Sequence, residues 1–202
     1  MDPLWDESKM DKPTPLLKYN VPTCYQSLPL ETIHRIREKQ ALPFSLMFYN
    51  LNGDINVGMA LRSAAIFGCT EAYVVGRRSY DKRSAVGANK YLTIHRHASI
   101  PKTFFEDQKL LPILMEQGGE PLEDFNFKPY LPGYLAPGWR VVLIVGTESS
   151  GLPKEFLANL STAPKLSISQ PGILRSLNVC NAASIALYEY QKQWRKNAMS
   201  RI

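Results

Sequence analysis

The chain has 202 residues, 45% of them hydrophobic and 21% charged, a composition that suits one globular domain with a sizeable core and excludes a disordered or fibrous protein. Lysine and arginine outnumber aspartate and glutamate by 24 to 18, and this excess favours a polyanionic partner such as RNA. No apolar run approaches the length of a membrane span, so we expect no membrane-embedded segment.

The cysteines and the N-terminus indicate the compartment. Cys24, Cys69 and Cys180 are far apart and odd in number, which is typical of reduced thiols and not of a disulfide framework. Together with the three histidines they do not reproduce the spacing of zinc ligands, so we expect no metal site. Residues 1–15 carry early acids and prolines, unlike a secretory signal or a transit peptide. We therefore expect a cytoplasmic protein, with a nuclear or organellar location left open.

The N-terminal part of the chain forms the first predicted unit. Residues 1–29 are rich in proline and weakly patterned, which predicts an extended arm. Leu30–Gln40 has apolar residues on one side and cations elsewhere, which predicts a short helix. Its basic face could lie along RNA or simply face solvent. We therefore divide the chain into an arm with a short helix, residues 1–40, and a main domain, residues 41–202.

The main domain begins with the pattern of a strand, a helix and a second strand. Residues 44–49 (FSLMFY) are continuously apolar, as in a strand buried on both faces, and residues 72–75 repeat this pattern. Between them a polar loop leads into a helix predicted over residues 57–67, with Asn56 as its cap and Gly68 as its stop. Short loops between such elements predict a βαβ unit and hence a parallel sheet.

A basic loop follows the second strand. Residues 77–89 (RRSYDKRSAVGAN) contain one tyrosine, and Tyr91 follows the loop closely. Cations mixed with aromatic rings suit phosphate contacts and base stacking, although a solvated surface loop has the same composition. The four cations of this candidate RNA-binding loop are Arg77, Arg78, Lys82 and Arg83.

The second half of the chain continues the alternation of strands and helices, which gives an α/β fold of five or six strands. Residues 120–138 are rich in proline and glycine and predict a crossover loop. Ser176 or Asn178 can cap the last helix. The remaining predicted elements are helices over 103–109 and from 154–159, strands over 111–115, 141–145 and 165–168, and a long helix after residue 178.

The sequence of the loop at residues 146–153 (GTESSGLP) does not match several well-known nucleotide-binding and catalytic motifs. It lacks the Gly-Lys-Ser/Thr ending of a P-loop, and it cannot be read as a nucleophile elbow. The glycine fingerprint of dinucleotide-binding folds is also absent.

Three polar loops are expected to meet, because ligands of parallel α/β sheets bind beyond the carboxyl ends of the strands. These loops cover residues 50–62, 146–151 and 170–178. Their convergence would form one site, and its expected members are Arg62, Glu148, Ser176 and Asn178.

In order and content, these loops resemble the three motifs of the SpoU/TrmH family of RNA 2′-O-ribose methyltransferases. The first motif is Asn56-Val57-Gly58-Met59-Ala60-Leu61-Arg62, the second is the stretch 146–153, and the third spans 168–189 around Arg175-Ser176-Leu177-Asn178-Val179. The resemblance covers about residues 44–194. The stretch 170–178 looks most like members that modify tRNA guanosine.

The resemblance implies a Rossmann-like parallel sheet whose C-terminal segment forms a deep trefoil knot, the SPOUT architecture. Knots are rare exceptions to topology rules, so periodicity could not have predicted one. The resemblance also implies S-adenosyl-L-methionine as methyl donor, S-adenosyl-L-homocysteine as product, and a homodimer with active sites built from both subunits. The partner would be RNA, with tRNA favoured and rRNA as the alternative, and the reaction needs no metal.

Roles for individual residues follow from the resemblance. Arg62 would handle the target ribose, Asn56 would fix the loop that carries it, and Glu148 would orient the site by hydrogen bonds, with Ser176 and Asn178 completing the catalytic set. The residues implied to line the cofactor pocket are Met115, Glu116, Gln117, Gly146, Glu148, Gly151, Ile168, Gln170, Ser176, Leu177 and Asn178. The residues expected to bind RNA are Arg62, Arg77, Arg78, Lys82 and Arg83.

Some alternatives stay open at the level of sequence. Arg62 could act as a base with help from an RNA phosphate, or it could clamp the phosphate and stabilise developing charge. The chain could also be a knotted RNA-binding protein without catalysis, or a methyltransferase acting on a base nitrogen. The presence of Arg62, Glu148, Ser176 and Asn178 argues against a loss of catalysis. The pair Asn56 and Arg62, together with Ser176-Leu177-Asn178, favours ribose over a base nitrogen.

Overall fold

The computed structural model describes residues 21–49, 54–76, 80–147, 150–174 and 176–199. Strands and helices alternate through these ranges, as the sequence predicts. The strands are β1 (Phe44–Tyr49), β2 (Glu71–Val75), β3 (Thr93–His97), β4 (Leu110–Pro121), β5 (Arg140–Val145) and β6 (Lys165–Ser167). The α-helices are α1 (Leu30–Gln40), α2 (Asp54–Ile66), α3 (Phe104–Asp107), α4 (Lys154–Asn159) and α5 (Val179–Met199).

The six strands form one parallel sheet in the order β3-β2-β1-β5-β4-β6. The parallel sheet predicted from the sequence is therefore confirmed. β1 and β5 lie at its centre and are buried on both faces, which is why their sequences are continuously apolar. α2 and α5 cover one face, where Phe44 and Leu46 belong to the core, and α3 and α4 cover the other, where Met47 does.

The structure corrects several predicted elements. β3 was missed, because its sequence TIHRH alternates polar and half-buried residues, as expected for an edge strand and not for a buried one. β4 does not end at residue 115: its final residues Glu120 and Pro121 pair with β6, so the crossover loop begins at residue 122. α3 covers only Phe104–Asp107 of the predicted 103–109.

β4 and β6 are joined closely at two places. A Cβ on Gly119 would lie 2.6 Å from the carbonyl carbon of Lys165, so only glycine allows the backbones to approach this closely. The Ser167 hydroxyl donates to the Gly119 carbonyl at 2.8 Å, and the Leu122 amide donates to the Ser167 carbonyl at 2.8 Å. These contacts hold β6 against the last residues of β4, beyond the bulge, while the trefoil knot itself stays a prediction.

α5 is locked across the sheet by its second half. The Tyr190 ring stacks on Phe44 with centroids 4.0 Å apart, and its hydroxyl donates to the Tyr130 carbonyl at 2.8 Å. The Gln193 amide group bonds to the backbone of Phe125 and Phe127. α5 therefore enters the site described below from a fixed direction. Within the ranges described above, no helix combines the length and the apolar character that crossing a bilayer requires.

Candidate active site

A cavity of about 510 Å³ opens at the carboxyl ends of β5 and β6, beside the bulge of β4. Its volume lies in the range of small-molecule and cofactor sites. The wall combines apolar side chains with glycine backbone and a few polar groups. The lining residues are Met115, Glu116, Gln117, Gly118, Val145, Gly146, Thr147, Ser150, Gly151, Leu166, Ser167, Ile168, Gln170, Leu174, Ser176, Leu177, Val179 and Ala182.

Nine of the residues predicted to contact a cofactor lie on this wall. They come from the bulge of β4, the loop after β5 and the loop after β6, so the structure brings the second and third motifs together. These nine are Met115, Glu116, Gln117, Gly146, Gly151, Ile168, Gln170, Ser176 and Leu177. Glu148 lies outside the described residues.

The loop after β5 is a closed turn that only glycines permit. Thr147 and Gly151 exchange two backbone hydrogen bonds, of 3.0 and 2.9 Å. A Cβ on Gly146 would lie 2.3 Å from the carbonyl carbon of Gly151, and Gly151 itself has a φ of +65°. The glycines therefore bring bare backbone to the wall of the cavity, where amide and carbonyl groups can face a ligand.

Glu116 has a structural partner inside the wall. Its carboxylate accepts a hydrogen bond from the Leu152 amide at 3.1 Å. A Cβ on Gly151 would lie 2.6 Å from one carboxylate oxygen, so the turn and the carboxylate fit closely. Glu116 thus links the bulge of β4 to the loop after β5, and both of these segments line the cavity.

Asn178 lies beside the cavity and is not part of its wall. Its side-chain oxygen accepts from the amides of Cys180, at 2.9 Å, and Asn181, at 3.3 Å, so Asn178 caps α5 as predicted. Its side-chain nitrogen donates to the Asn56 side-chain oxygen at 3.0 Å. The described geometry therefore gives Asn178 the role of linking the third motif to the first.

Asn56 does not cap α2, because the helix begins at Asp54 and Asn56 lies in its first turn. The predicted cap was therefore wrong. The Asn56 side chain instead receives the hydrogen bond from Asn178. About two turns further along α2, the Ser184 hydroxyl donates to the Ser63 hydroxyl at 2.7 Å. Sequence reasoning missed this second link between α2 and α5, although polar residues on two apolar helices were a signal for it.

Arg62 is exposed on α2 and does not line the cavity, and neither does any other described residue of α2. The residues that precede α2, from 50 to 53, lie outside the described ranges. The hydrogen bond between Asn178 and Asn56 therefore holds the first motif next to the cavity, but none of its described residues lines the cavity wall.

The predicted RNA-binding cations differ in their surroundings. Lys82 is exposed. Arg83 is bound in two places by Asp81, with Nε–Oδ1 3.0 Å and Nη2–Oδ2 2.9 Å, and this guanidinium holds the pKa of the Asp81 carboxyl below its ordinary value. Arg77 and Arg78 lie outside the described residues. Among the residues that are described, no three His, Cys, Asp or Glu side chains are grouped as metal ligands would be.

The fold is a parallel α/β sheet with a cofactor-sized cavity at the carboxyl ends of its strands. The glycine fingerprint of dinucleotide-binding folds is absent from the sequence, so the site belongs to a different class of α/β protein. The chain belongs to the SpoU rRNA Methylase family, whose model matches residues 43–188. This match contains the first two motifs and all of the third except its last residue, Glu189.

Two curated proteins are similar over most of their length. A tRNA (cytidine(34)-2′-O)-methyltransferase from Acidovorax sp. is 28% identical over 151 residues, which cover 71% of this chain and 85% of that protein. A Synechocystis sp. protein, provisionally given the same activity, is 31% identical over 152 residues, which cover 69% of this chain and 90% of that protein.

A solved structure shares the fold. The SpoU methyltransferase AviRb from Streptomyces viridochromogenes, crystallised with the cofactor AdoMet, superimposes with a TM-score of 0.60 at 24% identity. The match covers 74% of this chain and 57% of AviRb, so this chain spans little more than half of that protein.

Proposed function

We propose that this protein transfers a methyl group from S-adenosyl-L-methionine to a ribose 2′-hydroxyl of tRNA. The observation that carries the proposal is the cavity at the carboxyl edge, whose wall is made by the second and third motifs of the family. Both curated relatives are named as tRNA ribose methyltransferases, which supports tRNA as the substrate.

The residues present fit this cofactor. Adenine needs apolar faces and backbone hydrogen bonds at its edge, and the wall offers Ile168, Leu177 and the bare backbone of Gly146 and Gly151. The hydroxyl of Ser176 and the amide group of Gln117 provide polar contacts for the ribose and amino-acid parts. The bound cofactor supplies an electrophilic methyl group on a sulfonium ion.

The chain's own contribution is to orient the ribose and to compensate charge. In an in-line transfer the 2′-oxygen forms a bond to the methyl carbon while the carbon–sulfur bond breaks, and the hydroxyl proton leaves. The products are a 2′-O-methyl ribose, a proton and the neutral thioether. A guanidinium stays protonated in proteins and donates hydrogen bonds, so we assign to Arg62 the stabilisation of negative charge that develops on the 2′-oxygen.

The exposed face of α2 supports a homodimer. Ile55, Met59 and Ile66 are 59%, 44% and 65% exposed and follow each other at helical spacing, so they form an apolar stripe on one side. Arg62 has the spacing of this same stripe. On α5, the partly exposed Ile185 extends the apolar surface. A second copy that covers the stripe would face Arg62, which explains how Arg62 can serve a cavity that it does not line.

A mixing experiment tests the shared active site. One variant is Arg62→Ala, and the other is Ala182→Phe, whose ring would occupy the cavity and prevent cofactor binding. Random mixing of C2 dimers restores about a quarter of wild-type activity if Arg62 serves the partner's cavity, and none if it serves its own. Calorimetry must first show that Ala182→Phe has lost cofactor affinity and that Arg62→Ala has kept it.

The reaction itself is tested with a labelled methyl group. The protein is incubated with S-adenosyl-L-methionine and either total tRNA or rRNA, and the RNA is digested to nucleosides. A 2′-O-methyl nucleoside from tRNA is the expected result. The same product from rRNA alone would favour the substrate in the family's description. Cofactor binding without transfer to either RNA would indicate a non-catalytic RNA-binding protein.

The same digest identifies the target base. The curated relatives are named for cytidine, whereas the stretch 170–178 resembles members that modify guanosine. 2′-O-methylcytidine would place this chain with its curated relatives, and 2′-O-methylguanosine would follow the resemblance of the third motif. A methylated base in place of a methylated ribose would contradict the proposal.

A further inference from the structure

Residues 80–91, here called the basic segment, form two 3₁₀ turns between β2 and β3. The turns cover Lys82–Ala85 and Ala88–Lys90. Lys82, Arg83, Lys90 and the nearby Arg96 of β3 are exposed, and Asp81 is the only acidic residue in the stretch 80–97. This part of the surface therefore carries a local excess of positive charge.

The basic segment is fitted to α2 at Gly58. A Cβ on Gly58 would lie 1.9 Å from the Ser84 hydroxyl, 2.8 Å from the Ala85 amide nitrogen and 2.9 Å from the Asp81 carbonyl oxygen. Two of these three atoms belong to the backbone, so a side chain at position 58 would have to displace the segment itself. Helix and segment are thus closely packed at this point.

This contact places Arg62 beside the basic segment. Residues four positions apart in a helix lie on the same side, roughly 5–6 Å from each other. Gly58 faces the segment, and Arg62 follows it by four positions. Ser63, by contrast, faces α5 through its bond to Ser184. Arg62 therefore lies on the side of α2 that carries the contact with the segment.

The backbone of the segment is held in a strained shape. Val86 has a φ of 47°, in the left-handed region that branched side chains rarely adopt, and Gly87 follows with a φ of 84°. The strain persists because neighbouring contacts determine the shape of the segment: Ala85 and Ala88 are fully buried on either side. These anchors hold the backbone on either side of the strained residues, with Lys82 and Arg83 before Ala85 and Lys90 after Ala88.

The cations have different roles. Asp81 binds the Arg83 guanidinium in two places and also accepts from the Arg83 amide at 2.9 Å, so Arg83 closes the first turn. The Arg96 guanidinium lies over the Tyr80 ring, 5.2 Å from its centre, and this cation–π contact holds it next to the segment. Lys82 projects into solvent from the first turn.

We propose that the basic segment and Arg96 bind the RNA backbone next to the target nucleotide, with Lys82 and Arg96 contacting phosphates and Arg83 holding the turn. This inference rests on the proposed function. The segment packs against the helix that carries Arg62. It therefore binds RNA next to the active site to which Arg62 contributes, whether that site belongs to the same subunit or to its partner. Phosphate contacts carry no base information, so this surface positions the RNA and does not select its sequence.

The test is the salt dependence of tRNA binding by the full chain. Each phosphate contact adds about 0.7 to 0.9 to the slope of log affinity against log salt concentration. Lys82→Gln and Arg96→Gln are each expected to lower the slope by about this amount. Arg83→Gln is expected to keep the slope and to lower the thermal midpoint. Lys109→Gln, an exposed charge change directly before β4 and thus separated from β3 by three strands of the sheet, is the matched control.

Several outcomes would overturn the inference. Unchanged slopes for Lys82→Gln and Arg96→Gln would show that the segment does not contact phosphates, as would an equal loss for Lys109→Gln. Methyl transfer by the wild-type protein is measured in parallel, so that a failure here leaves the proposed function standing. Absence of any transfer to RNA would instead overturn the proposed function itself.

A second variant tests the docking. Gly58→Ala is expected to weaken tRNA binding several-fold while cofactor affinity and the folded circular-dichroism spectrum stay as in the wild type, because the displaced segment lies away from the cavity wall. Wild-type tRNA affinity in a folded Gly58→Ala protein would show that the contact between segment and helix does not matter for RNA.

Discussion

Asn178 connects the cavity to α2, and substitutions at this position can separate its two functions. Its oxygen caps α5, and its nitrogen bonds to Asn56. Asn178→Ser keeps a capping oxygen but is too short to reach Asn56, whereas Asn178→Ala loses both interactions. Asn178→Asp keeps the cap. It also recovers the link, because the Asn56 side-chain amide can rotate so that its nitrogen donates to the new carboxylate.

The structure sets the expected magnitudes. Losing a cap costs about 1 kcal/mol of unfolding free energy, and the exposed link to Asn56 contributes about 0.5 kcal/mol. Asn178→Ala is therefore expected to lose about 1.5 kcal/mol, Asn178→Ser about 0.5 kcal/mol, and Asn178→Asp close to none. Urea titrations at constant protein concentration measure these differences.

Activity should follow the link and not the cap. If the link holds Arg62 in position, Asn178→Ser loses about fivefold in kcat, equivalent to about 1 kcal/mol, while Asn178→Asp recovers most of it. Both should keep near wild-type cofactor affinity, because Asn178 is not on the cavity wall.

Two results would refute this reasoning. Wild-type kcat in Asn178→Ser would show that only the cap matters. Lost cofactor affinity in Asn178→Ser would show that Asn178 binds the cofactor directly, as the family resemblance implied.

Two other predictions concern stability and the thiols. Val86→Asn should raise the free energy of unfolding by about 1 kcal/mol, since asparagine tolerates the left-handed conformation and the Val86 side chain is 41% exposed. Val86→Ala removes the branch at Cβ but has no polar group to hydrogen-bond to the local backbone, so it should gain less. An unchanged denaturant midpoint in Val86→Asn would contradict the strain. In the native protein a thiol reagent at pH 8 should modify the exposed Cys24 quickly and leave the buried Cys69 and Cys180 unmodified, as followed by mass spectrometry. Burial raises the pKa of the Cys69 thiol to about 12, and it also raises the pKa of the Cys180 thiol. Quick modification of all three cysteines would contradict the burial of Cys69 and Cys180.

The sequence determined the parallel sheet and its centre. Strands such as β1 and β5 are buried on both faces, so their continuous apolar runs identify them from local sequence alone. The helix over Leu30–Gln40 and the cap at Asn178 also follow from local patterns. Nine residues of the cavity wall were predictable for a different reason: they come from motifs whose order and content resemble a known family.

Only the tertiary structure decided what the polar residues of those motifs contact. Asn178 and Asn56 are 122 positions apart, and a pattern of neighbouring residues carries no information about a bond over that distance. For the same reason the sequence could not show that Arg62 lies off the cavity wall, or that Gly58 is a docking point and not a helix breaker. Local patterns record burial and backbone preference, whereas partners across the sheet are fixed by packing.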